Sequence, residues 1–342
     1  MAHRFINQLA DGEAIEDIFL VGDKQLRANR NAALYLLVEL RDKTGVIQAR
    51  MWNVTEEAAA HINPGDYVQI KGKIQLYQGA LQMIISHIHT IPADDLDPAD
   101  FQKQSERDLG QLVNRLREIL LSIDEPHLRT LMECYLIDAP LMDALVKTPA
   151  GVKAHHAYRG GLLEHVVNML EVALRIAPLY PTIDRNLLLA GVLLHDIGKV
   201  RELNTDNGYI YTDEGQLLGH MVIAVEMLSE KIAEATRLTG EDFPYETMLR
   251  LKHLIVSHHG TYEFGSPKLP MTPEAIALHH IDNLDAKVHE FSRDIADDPN
   301  PASSWTPYNA RLERKLFKGC RPVPAPTPAP APAPAPAPGE AG

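Results

Sequence analysis

The hydrophobic pattern changes period once, near residue 100, and that switch limits the chain to two differently built parts. Before it, residues 33–40 are apolar and β-prone, residues 46–52, 67–76 and 81–91 alternate apolar and polar side chains, and these with 15–21 read as strands. Asp42-Lys43-Thr44-Gly45 is a turn signal between the second and third, and Asn63-Pro64-Gly65-Asp66 ends a short helix over 55–62. Five strands with a helix after the third is the order of an OB-type five-stranded β-barrel, expected over residues 1–92. Residues 93–108, with Asp94, Asp95, Asp97 and Asp100, read as an acidic linker. Apolar residues then recur at three and four, beginning with Leu109, Leu112, Val113, Leu116, Ile119 and Leu120. Helices are expected at 126–137, 162–177, 185–196, 220–235, 245–257 and 272–295, with a short hairpin at 203–212. The fold class is therefore multidomain α and β, a barrel followed by an all-α domain over 109–318. Residues 319–342 are rich in alternating proline and alanine, with nothing to bury, and read as a disordered, extended tail.

Charge narrows the function classes. The net charge of −13 argues against binding nucleic acid by bulk charge. The first 92 residues are nearly neutral, with nine Lys and Arg against ten Asp and Glu, so the acidity lies in the second part. Two cysteines, Cys134 and Cys320, make no disulfide framework and are expected to stay reduced. The start of the chain shows no secretory apolar segment, and no apolar run approaches the ~20 residues of a spanning helix. A cytoplasmic protein with no membrane contact is expected.

Chemistry concentrates in the helical part, where eleven of the sixteen histidines lie between His155 and His289. His165 sits on a helix, in Gly160-Gly161-Leu162-Leu163-Glu164-His165. His195-Asp196 ends an apolar helix, in Leu193-Leu194-His195-Asp196-Ile197-Gly198-Lys199. His220 is expected to open another after Gly219; His258-His259 ends a fourth, and Asp282 and Asp285 lie in a fifth. Imidazole and carboxylate suit divalent ions such as Mn, Fe, Zn or Ni. Helices meeting in a bundle can aim such ligands inward, and an aspartate beside a histidine can bridge two ions.

The ordered set His165, His195-Asp196, His220, His258-His259 and Asp282 resembles the HD superfamily of metal-dependent phosphohydrolases. With the preceding barrel, with Tyr211-Thr212-Asp213-Glu214-Gly215 before Gly219-His220, and with Ser257-His258-His259-Gly260-Thr261-Tyr262-Glu263-Phe264-Gly265-Ser266-Pro267, the chain is similar to the YhaM family of 3′–5′ exoribonucleases. The resemblance runs over residues 1–318. It implies an HD domain at 109–318 and one ion held by His165, His195, Asp196 and Asp282. A second ion falls to His220, His258 and His259, with Asp196 as bridge and the choice between His258 and His259 open. Two divalent ions are implied, manganese first, with Fe, Ni, Co or Mg as alternatives.

Around this set, Asp196 is the expected catalytic carboxylate and Lys199 a cation beside the scissile phosphate. His155, His156, Arg159, Tyr262 and Ser266 are candidates for substrate contact, with Tyr262 or Phe264 as a stacking face. On the barrel, Lys71 and Lys73, with Arg50, Trp52 and Tyr77, are candidates for a strand-binding groove. The implied activity is 3′–5′ hydrolysis of single-stranded RNA, extending to DNA, to nucleoside 5′-monophosphates; the expected partner is that single strand, and homo-oligomerisation stays open. The rivals are a phosphohydrolase or phosphodiesterase of small or cyclic nucleotides, and a nucleic-acid-binding protein with a structural metal site.

Overall fold

A computed structural model describes residues 3–29, 31–77, 80–94, 96–101, 105–151, 158–205, 209–298, 300 and 303–319. Strands β1 (Ala14–Ala28), β2 (Leu34–Asp42), β3 (Gly45–Trp52), β4 (Tyr67–Tyr77) and β5 (Ala80–Ile91) close into a barrel in the order β1-β2-β3-β5-β4, with α1 (Glu56–Ala60) after β3. Alternation drives this closure. Phe19, Leu36, Val38, Leu40, Ile70, Ile74 and Met83 point inward and are fully buried, while their neighbours face out.

Two differences from the sequence pattern have clear causes. β1 continues past residue 21, because a bulge between Val21 and Asp23 resets its pairing with β2 and hides the alternation. The acidic stretch after β5 is not featureless: Pro98–Asp100 forms a 3-10 turn, and Phe101 is buried with Leu20 and Tyr67.

The helical part comprises α2 (Leu109–Leu120), α3 (Pro126–Ile137), α4 (Ala139–Lys147), α5 (Gly161–Ile176), α6 (Arg185–Leu194), α7 (Lys199–Glu202), α8 (Asp213–Thr239), α9 (Tyr245–Ser257) and α10 (Pro273–Ala296). The 203–212 hairpin is present as β6 (Leu203–Asn204) against β7 (Ile210–Tyr211). Every residue of α6 from Leu187 to Leu194 is buried, so this helix runs through the core and delivers its end there. Its start is fixed by Asp184, whose carboxylate accepts from the Asn186 and Leu187 amides.

A helical segment over residues 213–218 precedes the one expected to open at His220, and the two together make up α8. Thr212 caps the first by accepting from the Gly215 amide, and Gly219, at φ +74° and ψ 157°, is non-helical and separates the two, so that His220 opens the second. The chain divides into two compact units, Met1–Lys287 and Val288–Gly342. Among the described residues no helix is long and apolar enough to cross a membrane.

Candidate metal centre

Four helix ends and the middle of α10 bring the predicted ligands together. One ligand atom from each of His165, His195 and Asp282 lies within 4.8 Å of the others, and the same holds for one ring nitrogen from each of His220, His258 and His259. Asp196 stands between the groups: its Oδ2 is 3.3 Å from His195 Nε2, and its Oδ1 is 3.4 Å from His220 Nε2 and 3.6 Å from His258 Nε2.

The approach of α7 to α8 makes this possible. A side chain at Gly198 would meet the His220 carbonyl oxygen at 2.0 Å, so only glycine lets the two segments come so close.

The second nitrogen of each ring explains the orientation. Nδ1 of His195 bonds the Val192 carbonyl at 2.8 Å, that of His258 the Ile255 carbonyl at 2.7 Å, and that of His259 the Phe264 carbonyl at 2.8 Å. His165 Nδ1 bonds Asp285 Oδ2 at 2.7 Å, and His220 Nδ1 faces Glu202 Oε1 at 3.2 Å. In all five rings the acceptor at Nδ1 fixes a proton there, which leaves Nε2 as the nitrogen for a cation.

The buried donor atoms fit a cation. Nε2 of His195, Nε2 of His220 and Oδ1 of Asp196 are buried without a hydrogen-bond partner, an arrangement that costs free energy unless an ion satisfies it.

Electrostatics agrees. Burial alone would raise the Asp196 and Asp282 carboxyls, but Lys199 and the neighbouring imidazoles hold Asp196 well below the usual carboxylate range, and His165 and its neighbours do the same for Asp282. Burial disfavours the His165 imidazolium, yet the Asp282 and Asp285 carboxylates lift its pKa to about 9. Burial, aided by His195, keeps His258 neutral well below its ordinary value.

Glu202 and Asp285 were not assigned roles by sequence reasoning. Glu202 also accepts from the His220 amide at 3.0 Å and is buried. Eighteen residues and the β6–β7 hairpin separate it from His220, so no local spacing signals the pair. Asp285 had a signal, being three residues from Asp282 on one helix face, though not its partner.

Lys199 is partly buried, with Nζ 2.6 Å from Asp196 Oδ2 and 2.6 Å from the Ala150 carbonyl. Burial opposes its charge, but Asp196 outweighs this and keeps it protonated.

The remaining candidates separate. Tyr262 and Phe264 are exposed on the loop after α9. Ser266 is buried instead, its hydroxyl directed at the Val256 and Lys268 carbonyls, so it closes that loop and does not face a substrate. Arg159 is partly buried, and its carbonyl accepts from the Ser105 amide. His155 and His156 lie outside the described residues.

On the barrel, Trp52 packs on Tyr35 with ring centres 5.1 Å apart, and the Arg50 guanidinium lies 5.6 Å over Tyr77. Arg50 pairs with Ile84, and Lys73 pairs with Ile84 from the other side, so these three share a row. Lys71 lies further along β4 and pairs with Glu16 at 3.2 Å. Lys71 and Lys73 line a cavity of 540 Å³ with Glu16, Ile84 and Ser86.

Comparison with known proteins agrees with this geometry. Residues 162–287 match the model of the HD domain, and residues 23–91 that of an OB-fold nucleic acid binding domain. The 3′–5′ exoribonuclease YhaM of Shouchella clausii is 36% identical over 82% of this chain and 86% of its own length. The chain belongs to the YhaM 3′–5′ exoribonuclease family. The relatives from Oceanobacillus iheyensis and Bacillus subtilis are 34% and 36% identical, over 82% of this chain and 87% and 88% of their own lengths. The chain is thus a hydrolytic nuclease with an OB-fold nucleic-acid-binding domain and an HD domain, and its histidine and aspartate groups could hold metal.

Proposed function

We propose that the chain is a divalent-metal-dependent exonuclease that releases nucleoside 5′-monophosphates from the 3′ end of single-stranded RNA, and of DNA with the same polarity. The observation that carries this reading is the common orientation of five imidazoles, each tied through Nδ1, with the Nε2 atoms of His195, His220 and His258 3.3, 3.4 and 3.6 Å from the Asp196 carboxylate. His165, His195 and Asp282 would hold one ion and His220, His258 and His259 the other, with Asp196 between them. Manganese is the first candidate, and iron, nickel, cobalt and magnesium are the alternatives. Such ions supply Lewis acidity at a phosphoryl oxygen and activate water for attack on phosphorus.

The chain's own groups do the rest. Asp196 keeps its negative charge at the centre, and Lys199 holds that carboxylate in place while fixing a positive charge beside the scissile phosphate. Exposed Tyr262 and Phe264 offer ring faces for the terminal base, with Arg159 as a further cation on the substrate path. The barrel grips the upstream strand through Arg50, Trp52, Tyr77, Lys71 and Lys73.

The test is hydrolysis of end-labelled single-stranded RNA with Mn²⁺, beside a circular strand and small or cyclic nucleotides. Monophosphates shed stepwise from the 3′ end support the reading. Internal cuts on the circle, or turnover of small nucleotides alone, overturn it.

A further inference from the structure

The HD match ends at residue 287, and the unit beginning at Val288 holds a small structure that neither the metal centre nor the barrel uses. Residues 303–319 form a hairpin closed by two antiparallel bridges, Trp305 with Phe317 and Asn309 with Arg314. It is fixed to the end of α10: Asn309 Nδ2 donates to Asp294 Oδ2 at 2.6 Å, and Arg311 pairs with Glu290 at 2.6 Å.

The hairpin has two faces. Thr306, Leu312 and Leu316 are buried. On the other face Trp305 and Phe317 sit side by side, ring centres 5.0 Å apart, and stay 51% and 53% exposed; Tyr308 is 62% exposed. Lys315, two residues from Phe317 and so on the same side of its strand, is exposed, as is Arg314. Neither has an ion partner among the described residues. In a chain of net charge −13, residues 303–319 carry Arg311, Arg314, Lys315 and Lys318 against Glu313 alone.

A cross-strand aromatic pair can serve only to stabilise a hairpin. That role does not call for three half-exposed rings with unpaired cations beside them. Flat faces for bases together with positive charge for phosphates are what a single strand needs, the ligand class that a nuclease of single strands already handles.

We propose that the Trp305–Phe317 hairpin is a second contact site for single-stranded RNA, separate from the barrel face. The proposal rests on the reading of the chain as a nuclease of single strands. Bases stack on Trp305, Phe317 and Tyr308, while Arg314 and Lys315 neutralise phosphates.

The chain has two tryptophans, which makes the test direct. In the full-length Trp52→Phe protein, Trp305 is the one indole. Titration with a phosphorothioate RNA of about 20 nucleotides, longer than one OB-fold site, should quench its emission. Phe317→Ala should weaken binding about five- to a hundredfold, the range for loss of one base stack. Lys315→Ala removes no packing, and should lower the slope of log affinity against log salt by about 0.7.

RNA binding that leaves Trp305 emission unchanged, or a Lys315→Ala protein with the parent's salt slope, overturns the proposal while the nuclease reading stands. Absence of any RNA binding, by polarisation of labelled RNA, would sink both. Emission that changes with protein concentration alone, without RNA, would mark the face as a contact between two copies and also overturn it.

Discussion

The metal centre and the outer face of the barrel solve opposite problems. At the centre His165, His195 and His258 are buried, and each imidazole is held by a second contact, so its donor nitrogen has little freedom. On the barrel Trp52 and Tyr77 remain 44% and 46% exposed, Trp52 beside the Tyr35 ring and Tyr77 under the Arg50 guanidinium. Bond cleavage needs atoms fixed to fractions of an ångström, and buried hydrogen bonds provide that. A strand that must slide past with any sequence needs flat, forgiving faces instead. Substitutions in the first region should therefore change metal content and rate, and those in the second should change affinity for long strands alone.

The largest effect is expected at Asp196, whose two oxygens face both ligand groups. Asp196→Asn keeps the volume and removes the charge. Metal content should drop for both groups, and hydrolysis should fall at least ~10³-fold, with helical content near that of the parent. Metal analysis, circular dichroism and the RNA assay measure the three quantities. Full metal and full rate in this variant would erase the contrast between the regions.

Lys199 comes next. Lys199→Met should retain metal and lower the rate by roughly 10²–10³, as for loss of one oriented charge at a developing anion. Its bond to Asp196 allows a different role, as counter-ion for a buried carboxylate. An unchanged rate with a lowered melting temperature would assign it to that role and away from the phosphate.

How far the sequence carried the fold and the site depends on where each signal lies. The barrel and the ligands are legible because alternation and helix-end motifs are local, as at residues 67–76 and in Leu194-His195-Asp196. α4 escaped notice because Asp138-Ala139-Pro140 follows directly on α3, one residue ending the first helix and capping the second. Gly219 reads as a breaker and is one; only the short segment before it, capped by Thr212, went unread. Glu202 is invisible because its link to His220 exists only once Gly198 lets the segments meet. Ser266 misled for the same reason: in a loop string a serine facing backbone looks like one facing solvent.

The two carboxylates behind the histidines sharpen the comparison within the centre. Asp285→Asn should weaken the ion beside His165 and leave the other largely bound, and Glu202→Gln should do the reverse. The expected loss is about 10- to 100-fold in affinity, typical for the group behind a ligating imidazole. Titration of each variant by calorimetry, with two resolvable binding events, checks this. Equal loss of both ions in both variants would mean that the groups do not act separately.

The smallest effect belongs to the barrel. Trp52 stacks on Tyr35 at the end of β3 and exposes the rest of its indole. It contributes to no buried cluster, so Trp52→Ala should change stability little. One lost base stack is worth about 1 kcal/mol at the low end of its range, so KM for a long single strand should rise roughly fivefold. The turnover number should stay the same, because no group at the metal centre moves, and a di- or trinucleotide too short to reach the barrel should be cut at the parent rate. Steady-state kinetics on a length series of RNA separates these outcomes. If kcat on the shortest substrate falls along with affinity for the longest, the barrel face takes part in placing the scissile bond, and the division between a rigid centre and a tolerant grip does not hold.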